Sequence, residues 1–168
     1  MLGVEAADLL VRCVQDAPGD YIEIGSAYGG SAGLAAKAMG DRPGIVFCID
    51  PFAATSELDG VDMPFRLFHT NIQHFGVEQR VVAFKQYHPP FPLAIYYHKF
   101  SIGLIDGNHY PPSVTKDFEA INFRVTDYLL FDNVEQPYIA SVVKRAVDRE
   151  GWKLYEEVEY TSDAGGQK

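Results

Sequence analysis

Basic residues are scarce in this sequence. Its 168 residues hold 14 Lys and Arg against 23 Asp and Glu, a formal net charge of −9 at neutral pH. Such a surface repels phosphate backbones and anionic lipid headgroups, so general nucleic-acid binding and membrane attachment are not expected. Long apolar runs are missing as well, since none approaches the roughly 18 residues of a spanning helix. Cysteine is nearly absent. Cys13 and Cys48 are too few for a disulfide framework or a zinc site. The stretch from Met1 to Asp20 lacks a basic start and carries Glu5, Asp8 and Asp16, so it does not read as a signal peptide. No repeat, low-complexity block or linker divides the chain. A reducing, cytoplasmic setting follows, with one domain over 1–168 whose tail, 161–168, is expected to fray.

What the sequence does contain is an alternation of helical and extended patterns. Val4, Ala7, Leu10, Val11 and Val14 recur at helical spacing until Pro18-Gly19. Tyr21–Ile24 reads as a strand, Ser31–Met39 as a helix and Gly44–Ile49 as a second, apolar strand. Phe65, Phe68, Ile72 and Phe75 mark a helix from Pro64, followed by strands at Arg80–Phe84 and Phe100–Ile105. A short, proline-interrupted helix is expected in 89–99. Helices at Ser113–Phe123 and Tyr138–Glu150 flank a strand at Asp127–Phe131, and Trp152–Tyr160 reads as a last strand. Alternating β and α with apolar strands predicts an α/β, Rossmann-like, doubly wound fold: a mostly parallel sheet of about six or seven strands with helices on both faces.

In such a sheet ligands sit beyond the carboxyl ends of the strands. Polar and glycine residues cluster there. Glu23-Ile24-Gly25-Ser26-Ala27-Tyr28-Gly29-Gly30-Ser31 runs from a strand through a glycine turn into a helix, where backbone and free N–H groups can meet a ligand. The same segment also reads as a plain βα turn. Ala27 stands where the dinucleotide pattern Gly-x-Gly-x-x-Gly has its second glycine. Asp50, before Pro51, ends the next strand, placed either for ribose hydroxyls or for a turn. Asp106, Asp132 and Asn133 follow later strands. Together they offer hard oxygen donors for Mg²⁺, Mn²⁺ or Ca²⁺, although both acids could equally cap helices. His109 lies three residues past Asp106, suited to take a proton from a bound hydroxyl. Phe52, Tyr110 and Tyr138 are loop aromatics suited to an acceptor, while Tyr28, Trp152 and Cys48 read as packing.

The phrases Tyr21-Ile-Glu-Ile-Gly-Ser-Ala-Tyr-Gly-Gly-Ser31 and Ile105-Asp-Gly-Asn-His-Tyr110, with Asp132-Asn133, resemble the class I S-adenosylmethionine-dependent methyltransferases. They are most similar to the small-molecule O-methyltransferases of the catechol, caffeoyl-CoA and metal-dependent sugar type. The resemblance spans roughly Val4 to Glu157. It implies an enzyme that moves the methyl group of S-adenosylmethionine to a hydroxyl of a small molecule. Glu23, Gly25, Ser26, Ala27, Gly29, Ser31, Asp50, Pro51, Tyr87 and Asp106 would then line the cofactor, with Gln86 to His88 beside the adenine. Asp106, Asp132 and Asn133 would hold Mg²⁺ or another divalent cation. Those relatives carry a lysine where His109 stands, so Asp106 and His109 are the candidate catalytic pair. Nothing here matches the family's leading helices or complete final hairpin, so either the chain is trimmed or the acceptor side is open or closed by another subunit, as in a homodimer. An NAD-dependent oxidoreductase and a non-catalytic cofactor-binding module are the competing readings.

Overall fold

The structure is a computed structural model, and it describes residues 2–53, 62–87 and 90–158. In chain order the elements are α1 (Val4–Asp16), β1 (Tyr21–Ile24), α2 (Gly30–Ala38), β2 (Val46–Asp50), α3 (Met63–Phe75), β3 (Val81–Lys85), β4 (Phe100–Ile105), α4 (Pro111–Ile121), β5 (Val125–Phe131) and α5 (Pro137–Arg149). Within 90–99 the chain forms a single 3₁₀ turn, Leu93–Ile95. The strands pair in the order β3-β2-β1-β4-β5, every pair parallel. That is the doubly wound arrangement the alternation predicts.

Side chains leave a strand on alternate faces, which divides the core in two. Tyr21, Val46, Cys48, Ile102 and Leu104 meet α1, α2 and α3 on one face. Ile22, Phe47, Ile49 and Ile105 meet Phe118 of α4 and Ile139 of α5 on the other. Burial on both faces is why these strands read as unbroken apolar runs.

Five strands form among the described residues, fewer than the six or seven expected. Residues 151–158 take no strand conformation, and 159–168 lie outside the described residues. Two side-chain anchors hold this segment, and the Tyr155 ring lies 5.2 Å from that of Tyr128 on β5. Trp152 Nε1 donates to Asn122 Oδ1 at 2.6 Å, and Arg12 on α1 grips both carboxylate oxygens of Glu156 at 2.8 and 2.9 Å. Leu154 and Tyr155 are left exposed. Tyr28 is also exposed rather than packed.

Phe68 of α3 connects this packing to the turn after β1. It is fully buried, its ring 5.0 Å from that of Phe52, and a Cβ at Gly29 would come within 2.9 Å of it. Phe68→Ala is expected to lower stability by about 3–5 kcal/mol in urea unfolding, through lost burial and the cavity left behind.

Candidate functional site

The strand order reverses direction at β1, which lies between β2 and β4. Three backbone bonds align the neighbouring strand ends: Gly25 N–H to Ile49 O, Asp106 N–H to Ile24 O, and Asp132 N–H to Ile105 O. The turns after β1, β2, β4 and β5 therefore open side by side. Among the described residues, the non-glycine residues with left-handed φ are Ala27 (+43°), Phe52 (+48°) and Asn133 (+56°). Each follows a strand at this edge. Left-handed backbone at non-glycine residues costs energy and concentrates at functional sites. A separate cavity of about 410 Å³ opens at the opposite edge, among Pro18, Asp20, Gly44, Lys99, Phe100 and Thr126.

The glycine turn has almost no freedom to change. A Cβ at Gly25 would lie 2.1 Å from Asp106 O, and its φ of +92° is one that side chains avoid. Asp50 holds the turn from the other side. Its Oδ2 accepts from the N–H groups of Ser26 and Ala27, each at 2.9 Å, and its Oδ1 from Phe52 N–H at 2.5 Å. Three of the roughly four acceptor positions of a carboxylate are thus in use. Asp50 shapes the turn first and keeps little capacity for ribose hydroxyls. Pro51 follows it, half-buried. No side chain caps α2, so N–H groups near Gly30 and Ser31 face the turn without a capping partner.

Below the turn lies a buried polar group. Glu23 is fully inaccessible, and its Oε2 accepts from the Tyr21 hydroxyl at 2.9 Å. Burial pushes the Glu23 carboxyl above its ordinary range, and the hydroxyls of Ser26, Ser31 and Tyr21 offset part of that rise. Those serines lie close enough to favour the ionised carboxyl, yet neither Glu23 Oε1 nor Ser26 Oγ has a partner in hydrogen-bond geometry. Two orphaned acceptors under a strained turn are unusual, because buried polar atoms nearly always find partners.

At the ends of β4 and β5 the structure brings the Asp106 and Asp132 carboxyls together, with Asn133 next in the chain. Burial, then the adjacent Asp132 carboxylate, push Asp106 up to about 8. Two carboxyls this close share a proton unless a cation compensates them. Asn133 Oδ1 is buried without a partner, while its Nδ2 faces Glu135 at 3.5 Å. No three His, Cys, Asp or Glu side chains converge as a metal set among the described residues, so a cation here would need the Asn133 oxygen. The donor chemistry fits a hard divalent ion. His109 Nε2 stands 3.6 Å from Asp106 Oδ1, its side chain 40% exposed.

Other expected residues fall differently. Phe52 is buried between Phe65 and Phe68, at centroid distances of 4.8 and 5.0 Å, so it is packing rather than acceptor surface. Its left-handed φ, imposed by the bond to Asp50, turns the ring inward. Tyr87 is exposed just beyond β3, and Tyr110 is exposed before α4. Tyr138 bonds Gln136. His88 lies outside the described residues. Tyr21, two residues from Glu23 on one strand, shares a face with it, and that spacing is the sequence signal for their hydrogen bond.

No protein-family profile matches the sequence, and no curated protein does. Solved structures do share its fold. TomG, an O-methyltransferase from Streptomyces achromogenes involved in tomaymycin synthesis and solved with S-adenosylmethionine, is 18% identical, with a TM-score of 0.57 over 89% of this chain and 62% of that one. The O-methyltransferase NovP is 19% identical, with a TM-score of 0.63 over 85% of this chain and 71% of that one. An O-methyltransferase from Bacillus cereus, in complex with S-adenosylhomocysteine, is 19% identical, with a TM-score of 0.63 over 81% and 59%. The chain has the Rossmann-like fold of these structures and spans about six tenths of the length of the first and third.

Proposed function

We propose that the protein is an S-adenosylmethionine-dependent O-methyltransferase for a small-molecule hydroxyl, working in the cytoplasm as one domain, with a homodimer as its assembly. Neither nucleic acid nor membrane is a partner in this reading, and no described helix is long and apolar enough to cross a membrane. The observation that carries it is the meeting, at one sheet edge, of a strained glycine turn over orphaned buried acceptors with the Asp106, Asp132 and Asn133 donors. Fold neighbours solved with S-adenosylmethionine and S-adenosylhomocysteine support the choice of ligand.

In this reading Gly25, Ser26, Ala27, Gly29 and Ser31 line the amino-acid end of the cofactor, with Glu23 beneath. Asp50 and Pro51 border the ribose and Tyr87 the adenine. S-adenosylmethionine supplies an electrophilic methyl group on a sulfonium. The protein's task is then to align the acceptor oxygen with that methyl group and to exclude water. Asp106, Asp132 and Asn133 would hold a divalent cation, which when bound lowers the pKa of a hydroxyl at the site. His109 accepts the hydroxyl proton, and Asp106 beside it steadies the imidazolium that results.

The test is methyl transfer from labelled S-adenosylmethionine to a panel of catechols and sugar hydroxyls, with Mg²⁺ or with a chelator. Methyl ether formation that the chelator abolishes is expected. Transfer indifferent to chelation would remove the cation from the account, and tight cofactor binding without transfer to any acceptor would favour a non-catalytic module. His109→Ala is expected to slow transfer by about 10²–10⁴-fold, the usual contribution of a general base, with cofactor affinity unchanged in a calorimetric titration.

A further inference from the structure

Resting on the proposed cofactor reading, we infer that Tyr21 is a positioning residue: its hydroxyl fixes the Glu23 carboxylate so that Oε1, with Ser26 Oγ, receives the ammonium group of the cofactor's amino-acid end. Tyr21 and Glu23 sit two residues apart on β1 and leave the strand on the same face. Both are completely inaccessible, in a core cluster otherwise built of residues such as Val46, Ile102 and Leu104. An apolar residue at either position would pack there without desolvating a carboxyl and a phenol. Burial accordingly pushes the titration of both groups upward.

The hydrogen bonds show what the pair achieves. A glutamate side chain rotates about its last torsion, and the bond from Tyr21 to Oε2 stops that rotation. Oε1 is then held apart from Tyr21, and both it and Ser26 Oγ lack a partner. A group bearing several N–H donors and a positive charge satisfies both oxygens at once, whereas an anion would be repelled by the carboxylate and leave Oε1 unpartnered. Tyr21 opens β1 and lies roughly 13 Å along the strand from the turn at Gly25, so it acts through Glu23 and does not touch the ligand.

The test compares two ligands that share a nucleoside thioether. S-adenosylhomocysteine carries the amino-acid end, and 5′-methylthioadenosine lacks it. Both are titrated calorimetrically into the unmodified protein, Tyr21→Phe, Glu23→Gln and the double variant. Tyr21→Phe keeps the ring and is expected to weaken S-adenosylhomocysteine by about tenfold, as loss of a bond to a charged group does, with 5′-methylthioadenosine within about twofold. In the Glu23→Gln background it should add nothing further. Equal weakening of both ligands, no change in either, or full additivity with Glu23→Gln would overturn the assignment. Should Glu23→Gln not fold, the two-ligand comparison on Tyr21→Phe alone still decides. If the unmodified protein binds neither nucleoside, the cofactor reading fails along with the inference; if it binds both and Tyr21→Phe is silent, only the inference fails.

Discussion

Asp106→Asn is expected to weaken Mn²⁺ binding by about 100-fold or more, and S-adenosylhomocysteine, which Asp106 also borders in this reading, by no more than about tenfold. Mn²⁺ is the readable stand-in for Mg²⁺, and water relaxation reports it. The same substitution should make the cation-free protein more stable at alkaline pH. Asp106 sits against Asp132 and is pushed up to about 8, above its unfolded value near 3.8. A raised carboxyl favours the fold only while protonated. Its contribution is fully present below pH 3.8 and is lost as pH rises through about 8. At pH 9 in chelator the folded protein therefore carries two repelling carboxylates, and Asn removes the repulsion. The expected gain is on the order of 2 kcal/mol in urea unfolding, less than the full shift because part of the side chain reaches solvent. At pH 4 the gain should be close to nothing. Weaker Mn²⁺ binding together with a more stable apoprotein is the signature of a ligand site, since a capping Asp would lose stability on replacement.

Gly25→Ala should abolish S-adenosylhomocysteine binding and lower stability by about 3 kcal/mol or more. The new Cβ would meet Asp106 O at 2.1 Å, Asp106 C at 2.4 Å and Gly107 Cα at 2.6 Å. All three are backbone atoms on the adjoining strand end, so no side chain can swing away to make room. The φ of +92° adds strain of its own. Relief requires β1 and β4 to part where Glu23 and Asp106 are placed. Gly30 is the matched control. Nothing lies within 4 Å of a Cβ there, and Gly30→Ala should change stability by no more than about 1 kcal/mol, in the favourable direction, because it opens a helix.

The elements of this fold were readable because burial on both faces leaves the central strands as apolar runs, and because glycine or Asp stands where four of the five runs stop, β3 being the exception. Errors at element ends have particular causes. Val125 and Thr126 fall outside the strand read at Asp127–Phe131, yet they belong to β5 because β4 offers a parallel partner from Phe100 onward. Trp152 to Tyr160 reads as a strand, but in its described part Trp152 bonds Asn122 and Glu156 bonds Arg12, 144 residues away. No local pattern reveals such distant partners. The site shows the same division. Gly25, Asp106, Asp132 and Asn133 were legible from their place after strands. That Asp50 spends its oxygens on Ser26, Ala27 and Phe52, or that Glu23 is held from below by Tyr21, is visible only once the backbone is in place.

The central claim is that this sheet edge binds S-adenosylmethionine, and parallel calorimetric titrations with S-adenosylmethionine and NAD⁺ test it most directly. The account expects saturable one-site binding of S-adenosylmethionine in the micromolar range, lost in Gly25→Ala, with no heat from NAD⁺. Binding of NAD⁺ alone, or S-adenosylmethionine binding that survives Gly25→Ala intact, would contradict it.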